Sequence, residues 1–540
     1  MWLTQRVHFL PLLMIIYAII PIQARRPVSE YTAKAGTLEQ VIRACGFAIR
    51  LEFRRNEVEL QKLREALKEI AAPPKKLTVY EMKSDTLGTW LIIVDTLYRD
   101  DEMASKEFPK NFAYMMAGPK FLKTAPHVAG PEPYWESSQY EIHHHAVDLD
   151  TSVSNLRRRA DEDPNKDPGD APTVNPGDLS LENHIIAIPS SYPELVAISQ
   201  PPGVNLDELE GNYYTYGSAG NGVIVYVIDT GCDTNHWDLS LQGFNDEDWL
   251  FPGPMPSDEK SDEDITSEGY TLDEVYEEHE GYHGTSVAGK LLGIATGVAP
   301  SAQLVVVKRQ TGRNDATFLT VLDCLLKIYD HFLRKRNSGR RVRGGIINMS
   351  FEQEYYGIRE PFNSIFYTAY VQLLVLFKGL GIYVVNGAGN TKGYIVDGTP
   401  AILKEDFQGQ IENLIVVGGV DTITKDNIYQ ADDLGLNLVN IYAPANKLVC
   451  PVGGNKHIIR EGTSFATALT SGLLATFIGA GIEDPSQTML NFAIENSNDE
   501  GLPILWNGLR KQDWDNAVVS DPSGGSSSGD GDGSSNGDSN

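Results

Sequence analysis

Between about Gln200 and Asn496 the chain alternates short runs rich in valine and isoleucine with longer segments of helical character. These runs include GVIVYVID, AQLVVVK, GGIINMS, GIYVVNGAGN and LIVVGGV. They are nearly continuous in apolar residues, which is typical of strands that are buried on both faces. Their alternation with helices predicts an α/β domain, doubly wound around a mostly parallel sheet with helices on both faces. In such sheets functional groups gather at the carboxyl ends of the strands.

The first 24 residues have the features of a secretory signal peptide. Arg6 supplies positive charge, an apolar run extends from about Phe9 to Ile22, and the residues IQA end at Ala24 as a cleavage site. The apolar run is shorter than the roughly 20 residues that a membrane-spanning helix needs. We therefore expect a secreted, extracellular protein that has no membrane as a partner.

Residues 25–199 form a predicted N-terminal region. Helical spacing of apolar residues predicts a helix within Thr37–Ala72, and TWLIIVDTL and HIIAIP are predicted strands. A linker rich in proline, glycine and aspartate, ADEDPNKDPGDAPTVNPGD, follows Arg157–Arg159. That basic cluster is either a processing site or a solvated charge run. His143–His145 could bind a metal, but no acidic or cysteine partners accompany them at metal spacing, so a surface run is preferred.

The rest of the chain divides into three predicted segments. Residues 200–496 form the α/β domain, 497–520 a C-terminal extension, and 521–540 a tail of serine, glycine and aspartate that we expect to be disordered. The net charge of −28 argues against nucleic acid as a partner, because phosphate binding needs clustered lysine and arginine. The cysteines are Cys45, Cys232, Cys324 and Cys450, which can pair in three ways that the sequence leaves open.

Ser464, in the stretch REGTSFATALTSG, is either a polar residue that opens a helix or a nucleophile. A nucleophilic serine needs a base, most often histidine, and a third group that orients the base. No histidine follows Ser464, which excludes the Ser, Asp, His order of lipases and esterases with the α/β-hydrolase fold.

His283 is the preferred base because it begins the loop-to-helix segment HGTSVAGKLLG. Asp229 ends a buried strand, where a carboxylate is costly unless its charge is used. Asn390, in a glycine-rich turn, either shapes that turn or stabilises an oxyanion.

These residues follow one another in the order Asp229, His283, Asn390 and Ser464, within the blocks VIVYVIDTG, HGTSVAG, GAGN and GTSFA. The four blocks together resemble the subtilisin-like serine proteases, the subtilase family or peptidase family S8, in their secreted fungal form. The resemblance covers about Gly211 to Asn496. It implies that Ser464 attacks the scissile carbonyl, His283 acts as base and then acid, Asp229 orients His283, and Asn390 stabilises the oxyanion.

The resemblance also implies a substrate-binding strand. The sequence departs from the family pattern at three positions. The substrate-binding residues are expected to be Ser350, Phe351, Glu352, Gly387, Ala388 and Gly389. Glu352 replaces the usual glycine, and we hypothesise that it favours basic side chains if it faces the cleft. Ser286 replaces the second histidine of the His block, and Ala468 replaces a proline of the Ser block.

The predicted function is that of a secreted serine endopeptidase, working through an acyl-enzyme on protein or peptide substrates. The alternative is a catalytically inactive subtilase-like binding protein. By the same resemblance, residues 25–199 occupy the place of a pro-region that inhibits the enzyme intramolecularly. The chemistry requires no cofactor and no metal. The acidic insert 244–281 is interpreted as a solvated loop, with a structural calcium site or a collar for basic substrates as the alternatives.

Overall fold

The computed structural model describes residues 46–51, 61, 77–96, 128–134, 184–189, 191–252, 282–309, 318–351, 365–390, 396, 398–407, 409–429, 438–495, 501–515 and 517–519. The predictions for the signal peptide, His143–His145, Arg157–Arg159, the linker, Glu352 and the C-terminal tail lie outside the described residues. Most of the acidic insert, residues 253–281, lies outside them as well. No helix within the described ranges has both the length and the apolar character of a membrane span.

Four strands near the N-terminus form an antiparallel sheet in the order β2-β3-β1-β4. They are β1 (Gly46–Leu51), β2 (Leu77–Ser84), β3 (Gly88–Thr96) and β4 (Val128–Tyr134). The predicted strand TWLIIVDTL is confirmed as part of β3. The helix predicted within Thr37–Ala72 is wrong for residues 46–51, where Phe47 pairs with Val94 of β3 and with Pro133 of β4. In FAIRL the more apolar residues alternate along the chain, and the pattern with period two prevails once partner strands lie on both sides.

The larger domain contains the remaining strands and all the helices whose bounds follow. The strands are β5 (Ile185–Ile188), β6 (Tyr213–Tyr216), β7 (Val223–Asp229), β8 (Trp249–Leu250), β9 (Gln303–Lys308), β10 (Gly344–Met349), β11 (Ile382–Gly387), β12 (Leu414–Val420), β13 (Asn427–Tyr429), β14 (Ile441–Pro444), β15 (Leu448–Val452), β16 (Lys456–Arg460), β17 (Ile494–Glu495), β18 (Pro503–Ile504) and β19 (Val518–Val519). The α-helices are α1 (Pro193–Ile198), α2 (His283–Leu292), α3 (Phe318–Asn337), α4 (Ile365–Leu380), α5 (Lys404–Phe407), α6 (Thr463–Gly479), α7 (Pro485–Phe492) and α8 (Lys511–Trp514). Short 3-10 helices span Leu206–Leu209, Trp237–Gln242, Asp246–Asp248 and Ala401–Leu403.

A ten-stranded sheet forms the centre of this domain, in the order β17-β18-β14-β12-β11-β10-β7-β9-β8, with β13 paired to β12. Every neighbouring pair from β8 to β18 is parallel, and only β13 and β17 join antiparallel. The predicted α/β class with a mostly parallel sheet is therefore confirmed. All seven residues of β7 are buried, as the continuous apolar run VIVYVID predicted.

Helices cover both faces of this sheet, and the alternation of side chains along each strand decides which helices a residue meets. Val223, Val225 and Val227 of β7 belong to the core that contains the buried residues of α2 and α6. Ile224 and Ile228 point to the opposite face, whose core contains the buried residues of α3 and α4. A shift of register by one residue would exchange the two sets, so packing on both faces fixes the register of the central strands.

A smaller sheet, in the order β19-β5-β6, joins the two ends of the described larger domain. Its middle strand β5 contributes Ile186 and Ile188 to the core that holds α2 and α6, and α1 adds Leu195 and Ile198. β5 is the predicted strand HIIAIP, which is confirmed. Residues 185–198 thus pack with the part of the chain that follows them rather than with β1–β4.

The N-terminal sheet contacts the larger domain through the turn between β2 and β3. Met82 of β2 is fully buried in the core around α3. The Asp330 carboxylate of α3 accepts hydrogen bonds from the Ser84 hydroxyl at 2.8 Å and from the backbone N–H groups of Asp85 at 2.7 Å and Thr86 at 3.1 Å. A carboxylate that receives several donors in one turn holds that turn firmly, because hydrogen bonds to charged groups are the stronger class.

Candidate active site

The candidate site lies where the winding of the sheet changes direction. After β7 the chain continues through β8 to β9, which both lie on one side of β7. After β10 it continues to β11, which lies on the opposite side. The connections therefore leave in opposite directions from the carboxyl ends of β7 and β10, and a crevice forms there. Asp229 is the last residue of β7, and Ser350 and Phe351 directly follow β10. The predicted residues at the strand ends thus share one edge of the sheet.

Asp229 and His283 form a buried pair at this edge. The Nδ1 atom of His283, the first residue of α2, lies 2.8 Å from Oδ1 of Asp229, and each residue is only 1% exposed. An ionised carboxylate can only accept hydrogen bonds, so Nδ1 of His283 carries the proton. The other ring nitrogen, Nε2, is then left as the basic atom in neutral His283.

The surroundings of Asp229 keep it ionised. Burial by itself raises the pKa of this carboxyl, but the facing His283, the nearby Arg309 and the Thr230 N–H group outweigh burial, so the pKa lies below its ordinary value of 3.8. Arg309 directly follows β9, and its backbone N–H group donates to the backbone carbonyl oxygen of Asp229 at 2.9 Å. Its guanidinium carbon lies 5.1 Å from the centre of the Phe351 ring. Arg309 was not among the predicted site residues, although a charge at the end of the strand beside β7 was the available signal.

The start of α2 is held by bonds that include one of the departures from the family pattern. The Gly284 N–H group donates to the Thr230 hydroxyl at 3.1 Å, directly after Asp229. The Ser286 hydroxyl donates to the carbonyl oxygen of Pro451 on β15 at 2.8 Å. Ser286 therefore fastens the helix that carries His283 to a neighbouring strand. A second departure, Ala468, is fully buried in the core of the domain.

Ser464 is the second residue of α6, and 8% of it is exposed. Its hydroxyl donates to the carbonyl oxygen of Ser350 at 3.0 Å. The ring of the next residue, Phe465, has its centre 5.6 Å from that of the His283 ring, so the start of α6 lies beside His283. The structure therefore brings Asp229, His283 and Ser464 to the same edge of the sheet.

Asn390 has its amide orientation set by the residue before Ser464. Its Oδ1 atom accepts hydrogen bonds from the Thr463 N–H group at 2.7 Å and from the Thr463 hydroxyl at 2.9 Å. The backbone N–H can only donate, which identifies the facing atom of Asn390 as oxygen. A Cβ atom at Gly462 would lie 3.3 Å from Nδ2, and Gly462 has a φ of 137°, which favours glycine. Asn390 thus presents its N–H groups beside the start of α6. Thr463 was not predicted as the partner of Asn390.

The expected substrate-binding residues lie at the carboxyl ends of two neighbouring strands, except Glu352, which is outside the described residues. Ser350 and Phe351 follow β10, while Gly387 ends β11 and is followed by Ala388 and Gly389. The buried amide of Asn386 joins the two strands, donating to the carbonyl oxygens of Met349 at 3.0 Å and Phe351 at 2.7 Å. Asn386 was not among the predicted site residues, although an amide within the otherwise apolar strand IYVVNG was the available signal.

The described part of the chain contains no group of three or more histidine, cysteine or acidic side chains placed to hold a metal ion. Cys232, Cys324 and Cys450 are buried, and burial raises the pKa of the Cys450 thiol to about 12. A thiol with so high a pKa is a poor nucleophile at neutral pH. Cys45 lies outside the described residues.

Comparison with known proteins identifies the family of the chain. Residues 220–503, more than half of the chain, match the model of the Subtilase family, Peptidase_S8. The chain belongs to the subtilase family, and the resemblance of the four sequence blocks to that family is confirmed.

Individual relatives match over shorter lengths. "Subtilisin-like protease 2" of Arthroderma benhamiae is 28% identical over 311 residues, which are 55% of this chain and 62% of that protein. "Subtilisin-like protease 2" of Trichophyton rubrum is 28% identical over 314 residues, with the same two shares. The chain thus spans about 62% of the length of these relatives. A crystal structure of a cold adapted subtilisin-like serine proteinase matches with a TM-score of 0.41 and 18% identity, covering 59% of this chain and 100% of that one.

Proposed function

We propose that the chain is a secreted serine endopeptidase that hydrolyses peptide bonds through an acyl-enzyme intermediate. The observation that carries the proposal is the buried pair of His283 and Asp229 at the same sheet edge as Ser464, which begins α6. A buried ionised aspartate that fixes the tautomer of a histidine has the orienting role that an activated serine requires.

In the proposed mechanism Ser464 loses its proton to His283. The hydroxyl, which donates to the Ser350 carbonyl oxygen at rest, turns its proton to Nε2 of His283 while Oγ attacks the scissile carbonyl carbon. The imidazolium ion that forms is stabilised by Asp229, which remains ionised. His283 then gives the proton to the leaving amine, and the carbonyl re-forms as an ester of Ser464.

Two N–H donors are proposed to stabilise the oxyanion, the Nδ2 group of Asn390 and the backbone N–H group of Ser464. Asn390 suits this role because Thr463 holds its oxygen, so that its N–H groups need no reorientation during the reaction. In the second half of the reaction, His283 removes a proton from water while the water oxygen attacks the ester carbon. His283 then returns that proton to the leaving Oγ of Ser464, which releases the acid product and restores the serine hydroxyl. The proposed chemistry uses only these protein groups. A structural calcium ion in the acidic insert 244–281 remains a separate proposal.

The N-terminal region is proposed to act as an inhibitory pro-region. The contacts that support this are those of Met82 and of the Ser84–Thr86 turn with α3. They fasten an otherwise separate antiparallel sheet to the larger domain. Docking of this kind allows one segment to assist the folding of the domain, and the proposed inhibition adds that the same region occupies the cleft until it is removed.

A fluorophosphonate probe tests the proposal, because it reacts covalently with an activated serine. The processed protein should be labelled, and Ser464→Ala should abolish labelling. Ser338→Ala, at the exposed end of α3, is the matched control and should leave labelling unchanged. Labelling that persists in Ser464→Ala contradicts the assignment of the nucleophile. An unlabelled but correctly processed wild-type protein would instead favour the inactive binding protein.

A further inference from the structure

A row of buried polar side chains leads from the interior of α6 to the proposed nucleophile. The Ser471 hydroxyl donates to Oδ1 of Asn348 at 2.9 Å, and Nδ2 of Asn348 donates to the Ser350 hydroxyl at 2.9 Å. The Ser350 hydroxyl in turn donates to the carbonyl oxygen of Ser464 at 2.7 Å. Ser471, Asn348 and Ser350 are all buried. The row therefore connects α6 to the end of β10 and back to the first turn of α6.

The direction of every hydrogen bond in this row is determined. The carbonyl oxygen of Ser464 can only accept, so the Ser350 hydroxyl must donate to it. The oxygen of Ser350 then receives an N–H group of Asn348, which leaves the oxygen of Asn348 to accept from Ser471. Hydrogen bonds that all run in one direction polarise and strengthen one another. Loss of the Ser471 donor therefore weakens the whole row.

Ser350 and Ser464 also interlock. While the Ser350 hydroxyl binds the carbonyl oxygen of Ser464, the Ser464 hydroxyl binds the carbonyl oxygen of Ser350 at 3.0 Å. Ser471 lies seven residues after Ser464, which is about two turns along the helix and on the same face. The row thus attaches both the first turn and the third turn of that face to β10.

Ser471 differs from its neighbours on α6 in where its hydroxyl binds. The hydroxyls of Thr467, Thr470 and Thr476 each donate to a carbonyl oxygen four residues earlier in the same helix. That is the ordinary arrangement for threonine within a helix. Ser471 instead donates across to Asn348 on the sheet. A buried polar link between two elements is costly to leave incomplete, which points to a role beyond local helix structure.

We propose that Ser471 and Asn348 are positioning residues for the nucleophile. The Ser471 hydroxyl fixes the rotation of the Asn348 amide, and the amide fixes the direction of the Ser350 hydroxyl. The Ser350 hydroxyl then holds Ser464 in the position from which the Oγ atom of Ser464 reaches the scissile carbonyl. This inference rests on the proposed function of Ser464.

Ser471→Ala is the principal test, because it removes one hydroxyl and changes little else. We expect fluorophosphonate labelling and kcat to fall about five- to tenfold, the rate factor of one buried hydrogen bond. We expect KM for a peptide substrate to change less than about twofold, since a positioning loss acts on the transition state rather than on uniform binding. Thr470→Val is the matched control, because its hydroxyl bonds only within the helix, and its rates should equal those of the wild type.

Two further variants separate positioning from a general loss of structure. Ser471→Cys keeps the shape with a weaker donor and should have an intermediate labelling rate, which keeps the test decisive if the alanine variant folds poorly. In the background of Asn348→Leu, which removes both amide bonds, Ser471→Ala should have no further effect, because Ser471 acts through Asn348.

Equal labelling rates for Ser471→Ala and Thr470→Val, in a wild type that labels at Ser464, would overturn this inference and leave the proposed function intact. Full additivity of Ser471→Ala and Asn348→Leu would overturn it as well. Absence of labelling in the wild type would overturn both the proposed function and this inference.

Discussion

Replacing Glu194 by leucine should destabilise the protein by about 3–5 kcal/mol, because it leaves a buried lysine without its counter-charge. Oε1 of Glu194, on α1, lies 2.6 Å from the Nζ atom of Lys290, on the helix that begins with His283. Neither residue is exposed to solvent. Val449 of β15 completes the site, accepting from Lys290 at 3.0 Å and donating its N–H group to Glu194 at 3.1 Å.

The size of the effect depends on removing one charge or both. Lys290→Met alone should also cost about 3–5 kcal/mol, because it isolates a buried carboxylate. The double variant replaces the pair by two apolar side chains, which is often nearly neutral in a protein interior. It still leaves the N–H and C=O groups of Val449 without these partners, at roughly 1 kcal/mol each. We therefore expect the double variant to lose about 2 kcal/mol, well below the sum of the single variants.

Urea unfolding measures these differences, with Ser464→Ala in every protein to prevent self-digestion. Lys511→Met is the matched control, because the pair of Lys511 and Glu208 has a similar separation of 3.0 Å but side chains that are 66% and 41% exposed. It should change the free energy of unfolding by less than about 1 kcal/mol. Single variants at Glu194 or Lys290 that also lose less than 1 kcal/mol would refute the reasoning, and so would a double variant that loses the full sum.

Three further predictions concern other polar groups. Asp330→Asn should weaken the docking of the N-terminal sheet by about 2–4 kcal/mol, because three donors lose their carboxylate. Limited proteolysis in the Ser464→Ala background should therefore release that sheet sooner than in the exposed control variant Asp426→Asn. Burial raises the pKa of Asp238, but the facing His457 and the hydrogen-bond donors around it outweigh burial and lower that pKa below 3.8. The stabilisation is therefore present above about pH 4 and is lost as the pH falls through the lowered pKa, so acid unfolding of Asp238→Asn should depend less on pH below 4 than that of the wild type. Asn390→Leu should lower kcat by about 10²–10³ with little change in KM, and an unchanged kcat would exclude Asn390 from the oxyanion site.

Much of the fold could be predicted because its central strands are buried on both faces. The run VIVYVID became β7, and LIVVGGV became β12. Once the sheet is parallel, the residues at strand ends must meet at one edge, which is why Asp229 could be placed near the loop that follows β10. The order of strands was not predictable in the same way, since the neighbours of β7 are set by packing between segments far apart in the chain.

The supporting polar contacts escaped prediction for a related reason. Thr463 reads as an ordinary residue at a helix start, and its partner Asn390 lies 73 positions earlier in the chain. Asn348 pairs with Ser471 across 123 positions. Spacing within a segment carries no information about such pairs, because they depend on how α6 lies against β10 and β11. The same applies to residues 185–198, whose apolar side chains could be recognised but whose place in the core of the larger domain could not.

One face of α2 packs against β15 and so holds His283 in position. The bonds made by this face explain how serine can occupy position 286, where the family pattern has histidine. The Ser286 hydroxyl and the Lys290 ammonium group, one turn apart, donate to the carbonyl oxygens of Pro451 and Val449 on β15. Gly289 lies on the same face, and a Cβ atom there would come within 2.1 Å of the Pro451 ring. Absence of that side chain lets the strand approach closely enough for both bonds. Gly289→Ala should therefore separate α2 from β15 and break both bonds at once. It should lower the free energy of unfolding more than Ser286→Ala does, since the latter removes only one of the two.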